Sequence, residues 1–319
     1  MVGTVCAVPV NPLVIAVNGF VSASRFVQWV GEFDELHSQQ GWGTGVDTYR
    51  HNHAVFDDER IAAGYERLNA GATRFLDAGE QRALVTVAPR CRGTSVLDVG
   101  VGAGRTTALL QLISDDYQAI DYSPRMVAAF RRHHPDLDCR VADARDLVDV
   151  GDGRHGLILF SNNGIDALAH EDRVGVLGEF RRVVAADGVI VFSTLNKSGP
   201  SFGETPFQLR RPTQRSVSLR ALAVRALRWM LEPGSAVRSV RNFRAHRRLT
   251  VDHGRWAVGP LAAHDFAPVV HFTSVPDLRD TLAEAGLVPE AVFDERGQAV
   301  DMGSEDCTAD SFTVVAHAA

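Results

Sequence analysis

The chain of 319 residues has little cysteine, almost no lysine and few long apolar runs. Its four cysteines stand far apart, and none forms the C-x-x-C pair that is typical of zinc sites or dense disulfide scaffolds. This spacing fits a reducing compartment. Arginine supplies nearly all of the positive charge, with Lys197 as the single lysine, and the formal net charge is −6. The composition therefore lacks the basic excess of proteins that coat DNA or RNA, so we expect no nucleic-acid partner.

One fairly apolar stretch, residues 5–22, could suggest a signal peptide or a membrane span. It has no basic segment before it, and Pro9, Asn11, Pro12 and Asn18 interrupt it. It is also too broken to cross a bilayer comfortably. We therefore expect a soluble, cytoplasmic protein without a membrane partner.

From residue 95, short β-branched runs alternate with helical stretches, which predicts a parallel sheet with helices on both faces. Ser123 followed by Pro124 predicts a helix start, and Ser274 predicts another where the pattern resumes. The fold class is thus α/β. We predict four parts: an N-terminal helical lid (1–90), a Rossmann-like core (91–199), a helical arginine-rich cap inserted after strand 5 (200–268) and the completion of the core sheet (269–319).

Two further helices are predicted outside the core, at Asp57–Leu76 in the lid and at Leu219–Met230 in the cap. Twelve arginines fall between Arg210 and Arg255, against two acids. Several of them lie on the polar side of an amphipathic helix, as on any solvated face. Arg210 and Arg211 are not explained in this way, and they could bind an acidic or diphosphate-bearing substrate through paired hydrogen bonds.

The strongest motif is VLDVGVGAG, residues 96–104, in which a strand ends in an acid and turns through three alternate glycines. A dinucleotide-binding loop has the pattern G-x-G-x-x-G, but its third glycine position is Arg105 here. The acid Asp98 would repel a pyrophosphate and favours a cationic ligand without phosphates. S-adenosylmethionine, with its ammonium and sulfonium groups, fits that description better than NAD does.

Two further acids end the next predicted strands. Asp121, at the end of the second strand, can accept hydrogen bonds from ribose hydroxyls, which both S-adenosylmethionine and NAD possess. Asp143, at the end of the third strand, can accept from an adenine amino group. The three acids together predict a nucleoside site at the carboxyl edge of the sheet.

The segments LDVGVGAG, AIDYSPRMV and VADARDL resemble the first three motifs of the class I S-adenosylmethionine-dependent methyltransferases. FSNNGID and VFSTLN resemble a bacterial subgroup of mostly small-molecule enzymes. The resemblance covers about residues 90–199 well and 270–319 more loosely. It implies a seven-stranded Rossmann-like sheet with its last strand antiparallel, and S-adenosyl-L-methionine as cofactor. It also implies cofactor contacts at Asp98, Gly100, Gly102, Gly104, Asp121, Tyr122, Asp143, Ala144, Ser161 and Asn162.

Methyl transfer from a sulfonium depends mainly on alignment, and a base is needed only for a protonated acceptor. The loop after the fourth strand, residues 161–164, lacks the Asn/Asp-Pro-Pro-aromatic motif of nucleobase methyltransferases, which disfavours nucleic-acid substrates. We expect Asn163 there to bind substrate. The candidate catalytic residues near this loop and near the end of the cap are Asp166, His170, Glu171 and His271, with His264 beside them.

Metal binding is not expected, because the His51 and His53 pair has no third ligand at a telling spacing. The sequence thus predicts a methyltransferase that acts on oxygen, nitrogen or carbon of a small molecule, in secondary metabolism. Two alternatives stay open: a methyltransferase of RNA or protein, and a non-catalytic binding protein on the same fold. A homo-oligomer also stays open.

Overall fold

The centre of the protein is a seven-stranded sheet, accompanied by a separate three-stranded sheet. The computed structural model describes residues 47–69, 76–206, 227, 230, 232–305 and 307–319. Its strands are β1 (Val96–Val99), β2 (Tyr117–Asp121), β3 (Asp138–Val141), β4 (His155–Phe160), β5 (Val184–Leu195), β6 (Val251–Asp252), β7 (Trp256–Pro260), β8 (Val269–Thr273), β9 (Leu287–Asp294) and β10 (Ser311–Ala318).

The order of strands in the large sheet is β3-β2-β1-β4-β5-β10-β9. Strands β1 to β5 pair in parallel, whereas β10 runs antiparallel to both of its neighbours. This confirms the predicted α/β fold class with its antiparallel last strand. Because β1, β2 and β4 are parallel, their carboxyl ends meet at one edge, which is where open α/β sheets bind ligands.

The helices are α1 (Thr48–Phe56), α2 (Glu59–Asn69), α3 (Ala78–Cys91), α4 (Thr107–Gln111), α5 (Pro124–His133), α6 (His170–Val183), α7 (Pro233–His246) and α8 (Val275–Glu284). Of these, α3 and α5 pack on one face of the large sheet, and α6 and α8 pack on the other. Both predicted helix starts are confirmed, since Ser123 and Ser274 accept hydrogen bonds from the third residue of α5 and α8. Within the described part of the chain, no helix is at once long and apolar enough to cross a membrane.

The core lies on both faces of the large sheet because neighbouring residues of a strand point to opposite sides. In β4, Leu157 packs into the cluster that contains Phe130 of α5, and Ile158 packs into the one that contains Phe180 of α6. All four side chains are fully buried. Each contributes roughly 1.5–3 kcal/mol through burial, so β4 is anchored from both sides and its carboxyl end is a rigid base for a site.

The predicted helix Asp57–Leu76 was wrong in its start. Asp57 instead ends α1, and its carboxylate accepts from Ser123 Oγ at 2.8 Å. Asp58 then accepts from the backbone N–H groups of Arg60 and Ile61, which caps the new helix α2. The two adjacent acids therefore separate α1 from α2, which begins two residues after the predicted start, and residues 70–75 lie outside the described residues.

The segment predicted as a helical cap contains strands as well as a helix. Helix α7 is followed by β6 and β7, which pair antiparallel with each other and with β8 to form the small sheet. A bridge between Asn196 and Thr273 connects this sheet to the end of β5. Arg210, Arg211 and nearly all of the predicted helix Leu219–Met230 lie outside the described residues, so their roles stay predictions.

Candidate functional site

The glycine loop after β1 forms a tight turn at the carboxyl edge of the sheet. Gly100, Gly102 and Gly104 have positive φ angles of 61°, 57° and 96°. Residues other than glycine rarely adopt such angles. A Cβ on Gly100 would lie 2.8 Å from the ring of Phe160. The backbone N–H of Gly102 donates to Asp121 Oδ2 at 2.9 Å, which fixes the loop to the end of β2.

Asp98 lies beneath this loop and is fully buried. Its Oδ2 accepts from Thr106 Oγ1 at 2.6 Å and from Tyr117 OH at 2.9 Å. Its Oδ1 is buried and has no hydrogen-bond partner among the described residues. Burial raises the pKa of Asp98 from 3.8 to about 6. A buried acceptor without a donor is costly, so this oxygen is suited to a ligand that brings a cationic donor.

The second acid, Asp121, is also buried and accepts from the backbone N–H of Ser123 at 2.8 Å as well as from Gly102. Burial raises its pKa from 3.8 to about 6. The next residue, Tyr122, has a buried hydroxyl without a partner in the described structure. Its ring contacts those of Tyr49 and His53 from α1. A carboxylate has about four acceptor positions, so Asp121 retains capacity for ribose hydroxyls.

The third acid, Asp143, follows β3 and forms an ion pair with Arg145 at 2.8 Å. Arg145 also pairs with Asp172 at 3.0 Å and lies 3.6 Å from the ring centroid of Tyr49. These contacts hold Asp143 at the edge of the sheet beside an aromatic face. Ala144, the predicted neighbour in the cofactor site, is packed into the core with 9% exposure.

The loop after β4 is tied to the glycine loop through Arg105. Its guanidinium pairs with both oxygens of Glu80 at 2.8 Å and donates to Ser161 Oγ at 2.9 Å. Glu80 also accepts from the backbone N–H of Asn162 at 2.8 Å. Asn162 and Asn163 both have left-handed backbones, with φ of 54° and 59°, and Asn163 Oδ1 is buried without a partner in the described residues. Such strain concentrates at functional sites.

Residues 96–188 match the family model of the methyltransferase domain. The matched residues include the glycine loop and the three acids at the edge of the sheet. This match supports a class I S-adenosylmethionine-dependent methyltransferase domain in this part of the chain.

The chain is also similar, at low identity, to individual methyltransferases. The ubiquinone biosynthesis O-methyltransferase of Azorhizobium caulinodans is 27% identical over 116 residues, which span 35% of this chain and 44% of that protein. The structure of a TehB-like methyltransferase of Corynebacterium glutamicum has a TM-score of 0.47 at 15% identity, covering 82% of this chain and 100% of the other. For the 1,6-didemethyltoxoflavin-N1-methyltransferase of Burkholderia thailandensis the TM-score is 0.48 at 13% identity, with 86% and 92% covered.

Asp166, a predicted catalytic residue of the methyltransferase domain, is placed in a structural ion pair. It is fully buried, and its Oδ1 accepts from Arg173 at 2.7 Å and from Thr194 Oγ1 at 2.6 Å. Its Oδ2 accepts from the backbone N–H of Leu195 at 2.6 Å. Both oxygens are therefore engaged and shielded from solvent, which contradicts the prediction that Asp166 acts as a base.

The predicted catalytic histidines His170 and His271 meet, although 101 positions separate them. His170 Nδ1 lies 3.0 Å from His271 Nε2. His271 is fully buried, and burial holds the pKa of its imidazole well below the ordinary value. It is therefore neutral and inaccessible as a general base. Glu171 is exposed in the first turn of α6, where a carboxylate stabilises the helix N-terminus.

His264 belongs to a left-handed turn at Ala263–Phe266. His264, Asp265 and Phe266 all have positive φ, between 51° and 61°, which costs roughly 1–2 kcal/mol for each residue. Asp265 holds the turn in place, since its carboxylate accepts from Ser235 Oγ at 2.6 Å and from Arg238 Nε at 2.8 Å. Helix α7, which carries both partners, thus fixes a strained segment beside the site.

Tyr65 of α2 connects this turn with the glycine loop, and no sequence motif marks it as a site residue. Its hydroxyl lies 3.1 Å from His264 Nε2. A Cβ placed on Gly102 would lie 3.9 Å from the Tyr65 ring. Burial raises the pKa of Tyr65 to about 12, so the phenol stays protonated. Sequence periodicity predicts that Tyr65 lies on a helix, but only the tertiary structure shows that its ring lies beside the glycine loop.

Proposed function

We propose that this protein transfers the methyl group of S-adenosylmethionine to a small-molecule acceptor. The observation that carries the proposal is the set of buried polar atoms without partners among the described residues. Three of them are Asp98 Oδ1, Tyr122 OH and Asn163 Oδ1, and they belong to residues near the carboxyl ends of β1, β2 and β4. Their strands' carboxyl ends share one edge of the sheet, so one polar ligand lying along that edge would satisfy all three.

The edge suits the donor in charge and in shape. Asp98 would accept from the ammonium of the methionine part, and the glycine turn lets that part approach the backbone closely. Asp121 would accept from the ribose hydroxyls with its remaining lone pairs, and Asp143 from the adenine amino group. The bound donor supplies an electrophilic methyl group on a sulfonium, and the chain needs only to align the acceptor with it.

For acceptors that carry a proton, we propose His264 as the general base. It sits on a rigid turn, contacts Tyr65 beside the glycine loop and is only half-buried. Its imidazole would take the proton of the acceptor, while the Tyr65 hydroxyl orients the ring. A positioned base of this kind contributes about 10²–10⁴-fold to the rate.

A small acceptor fits this site better than a folded macromolecule. Tyr65 of helix α2 lies beside the glycine loop, since a Cβ placed on Gly102 would be 3.9 Å from its ring, and its hydroxyl lies 3.1 Å from His264 Nε2 of the turn. A covered edge admits a compact molecule more readily than a nucleic-acid duplex or a protein surface. The net charge of −6 also gives no general attraction for RNA. Arg210 and Arg211 remain our proposed contacts for an acidic or diphosphate-bearing acceptor.

The test is incubation with methyl-labelled S-adenosylmethionine and a fractionated bacterial extract. We expect label in the low-molecular-mass fraction, and we expect Asp98→Ala to abolish it. Label found only in RNA or protein would show that the acceptor is a macromolecule and would contradict the proposal of a small acceptor. Binding of the donor without any transfer, across all fractions, would instead favour a non-catalytic binding protein.

A further inference from the structure

We infer that His170, His271 and Asp277 form a binding site for one divalent transition-metal ion, of which Zn²⁺ is the probe we would use. One ligand atom of each residue lies within 4.8 Å of the other two. The sequence gives no hint of this site, because the three residues are widely separated and none belongs to a metal-binding spacing. The inference does not depend on the proposed methyl transfer.

The distances between the donor atoms are close to those that a metal ion requires. Two nitrogen ligands of a tetrahedral zinc ion, each at 2.0–2.1 Å, lie about 3.3 Å apart. His170 Nδ1 and His271 Nε2 lie 3.0 Å apart. Small rotations of the side chains would therefore convert the present contact into joint coordination, with the carboxylate of Asp277 as the third ligand.

The three ligands are held by separate, well-packed elements. His170 begins α6, His271 lies in the middle of β8, and Asp277 is in the first turn of α8. The ring of Trp256 stacks on that of His170 with centroids 3.9 Å apart and an angle of 7°. Thr273 Oγ1 donates to Asp277 Oδ2 at 2.6 Å. In known metal sites, contacts of this kind orient the side chains that bind the metal and tune the metal affinity.

The local charge suits a cation. The nearby positive charge of Arg173 is compensated by Asp166, with which it forms a buried ion pair at 2.7 Å. The carboxylate of Asp277 then leaves the cluster with a net negative charge.

The donor set points to a borderline-soft divalent ion. Two imidazoles and one carboxylate are the ligands of several catalytic zinc sites, whereas Mg²⁺ and Ca²⁺ prefer oxygen ligands alone. His271 is fully buried and Asp277 nearly so, but His170 is half-buried, which leaves a side open to water. Three protein ligands and one water would complete a tetrahedron.

The test is a Zn²⁺ titration of the full chain, freed of any tag and treated with a chelator, against a chromophoric zinc indicator. We expect one ion per chain, and an affinity loss of more than about 100-fold in His170→Ala and in Asp277→Asn. Thr273→Val keeps all three ligands and the side-chain shape, so it should weaken binding by about 10–100-fold through the lost orienting hydrogen bond. His253→Ala is the matched control, since His253 stacks on Trp256 at 3.8 Å but is not in the cluster.

Far-UV circular dichroism of each variant separates loss of ligands from loss of fold, and Thr273→Val and His253→Ala remain informative if His170→Ala does not fold. Co²⁺ added in place of Zn²⁺ should give the intense visible bands of a tetrahedral nitrogen and oxygen site. The proposal is overturned if the wild type binds no Zn²⁺ at one equivalent, or if the wild type, His170→Ala and Asp277→Asn bind it equally.

Discussion

Replacing Asp166 by alanine should destabilise the protein strongly, because the change leaves a buried arginine without its counter-ion. Arg173 and Asp166 have side-chain exposures of 1% and 0%, and their charged atoms are 2.7 Å apart. Removing one partner of such a pair costs about 3–5 kcal/mol. A whole domain is stable by only about 5–15 kcal/mol, so the variant should lose a large part of its stability.

Equilibrium urea denaturation followed by tryptophan fluorescence measures this loss. The matched control is Asp152→Ala, which removes an ion pair with Arg182 at 2.5 Å in which the Asp152 side chain is 79% exposed. Exposed pairs contribute about 0–1 kcal/mol, so the control should unfold close to the wild type. If Asp166→Ala were as stable as the control and yet lost turnover, the structural role given to Asp166 would be refuted. The prediction that Asp166 is a catalytic base would then be supported. Asp166→Asn, which keeps the shape, serves if the alanine variant does not fold.

Three further predictions concern the donor and the base. Gly102→Ala should weaken S-adenosylhomocysteine binding in calorimetry. The control is Gly93→Ala, because Gly93 has a similar positive φ and a Cβ placed there would have no atom within 4 Å; this variant should lose about 1 kcal/mol of stability and bind normally. Because burial raises the pKa of Asp98 to about 6, the affinity for S-adenosylhomocysteine should fall as the pH is lowered through that value; Asp98→Asn should flatten the profile, and an unchanged profile would contradict the role. His264→Asn should lower kcat by about 10²–10⁴-fold with donor affinity unchanged in calorimetry, and equal loss of both would remove it as the base.

The sheet and the donor edge were predictable because their signals are local. The strands of the core are short and mostly apolar, an acid stands near the end of β1 and at the end of β2, and a third acid follows β3. The alternate glycines predict a tight turn with positive φ angles, which other residues rarely adopt. Parallel pairing then brings these separate ends to one edge. For this reason Asp98, Gly102 and Asp121 can be predicted as parts of one site without any knowledge of tertiary contacts.

The acceptor side was less predictable because its contacts join distant parts of the chain. Asp166 resembles a free acid in the sequence, and only the burial of Arg173 beside it shows that it is an ion-pair partner. Tyr65 and His264 lie far apart in the described chain, and their contact depends on a left-handed turn. None of the residues with positive φ in that turn is glycine, so the sequence does not predict it. The small sheet was overlooked because β7 has only five residues within a segment dominated by arginine.

The most direct test of the account is calorimetric titration of the purified chain with S-adenosylhomocysteine and, separately, with NADH. We predict one S-adenosylhomocysteine per chain, with binding lost in Asp98→Ala, and no measurable heat with NADH. Tight NADH binding together with no affinity for S-adenosylhomocysteine would contradict the central claim that the carboxylate beneath the glycine turn selects a cationic nucleoside without phosphates.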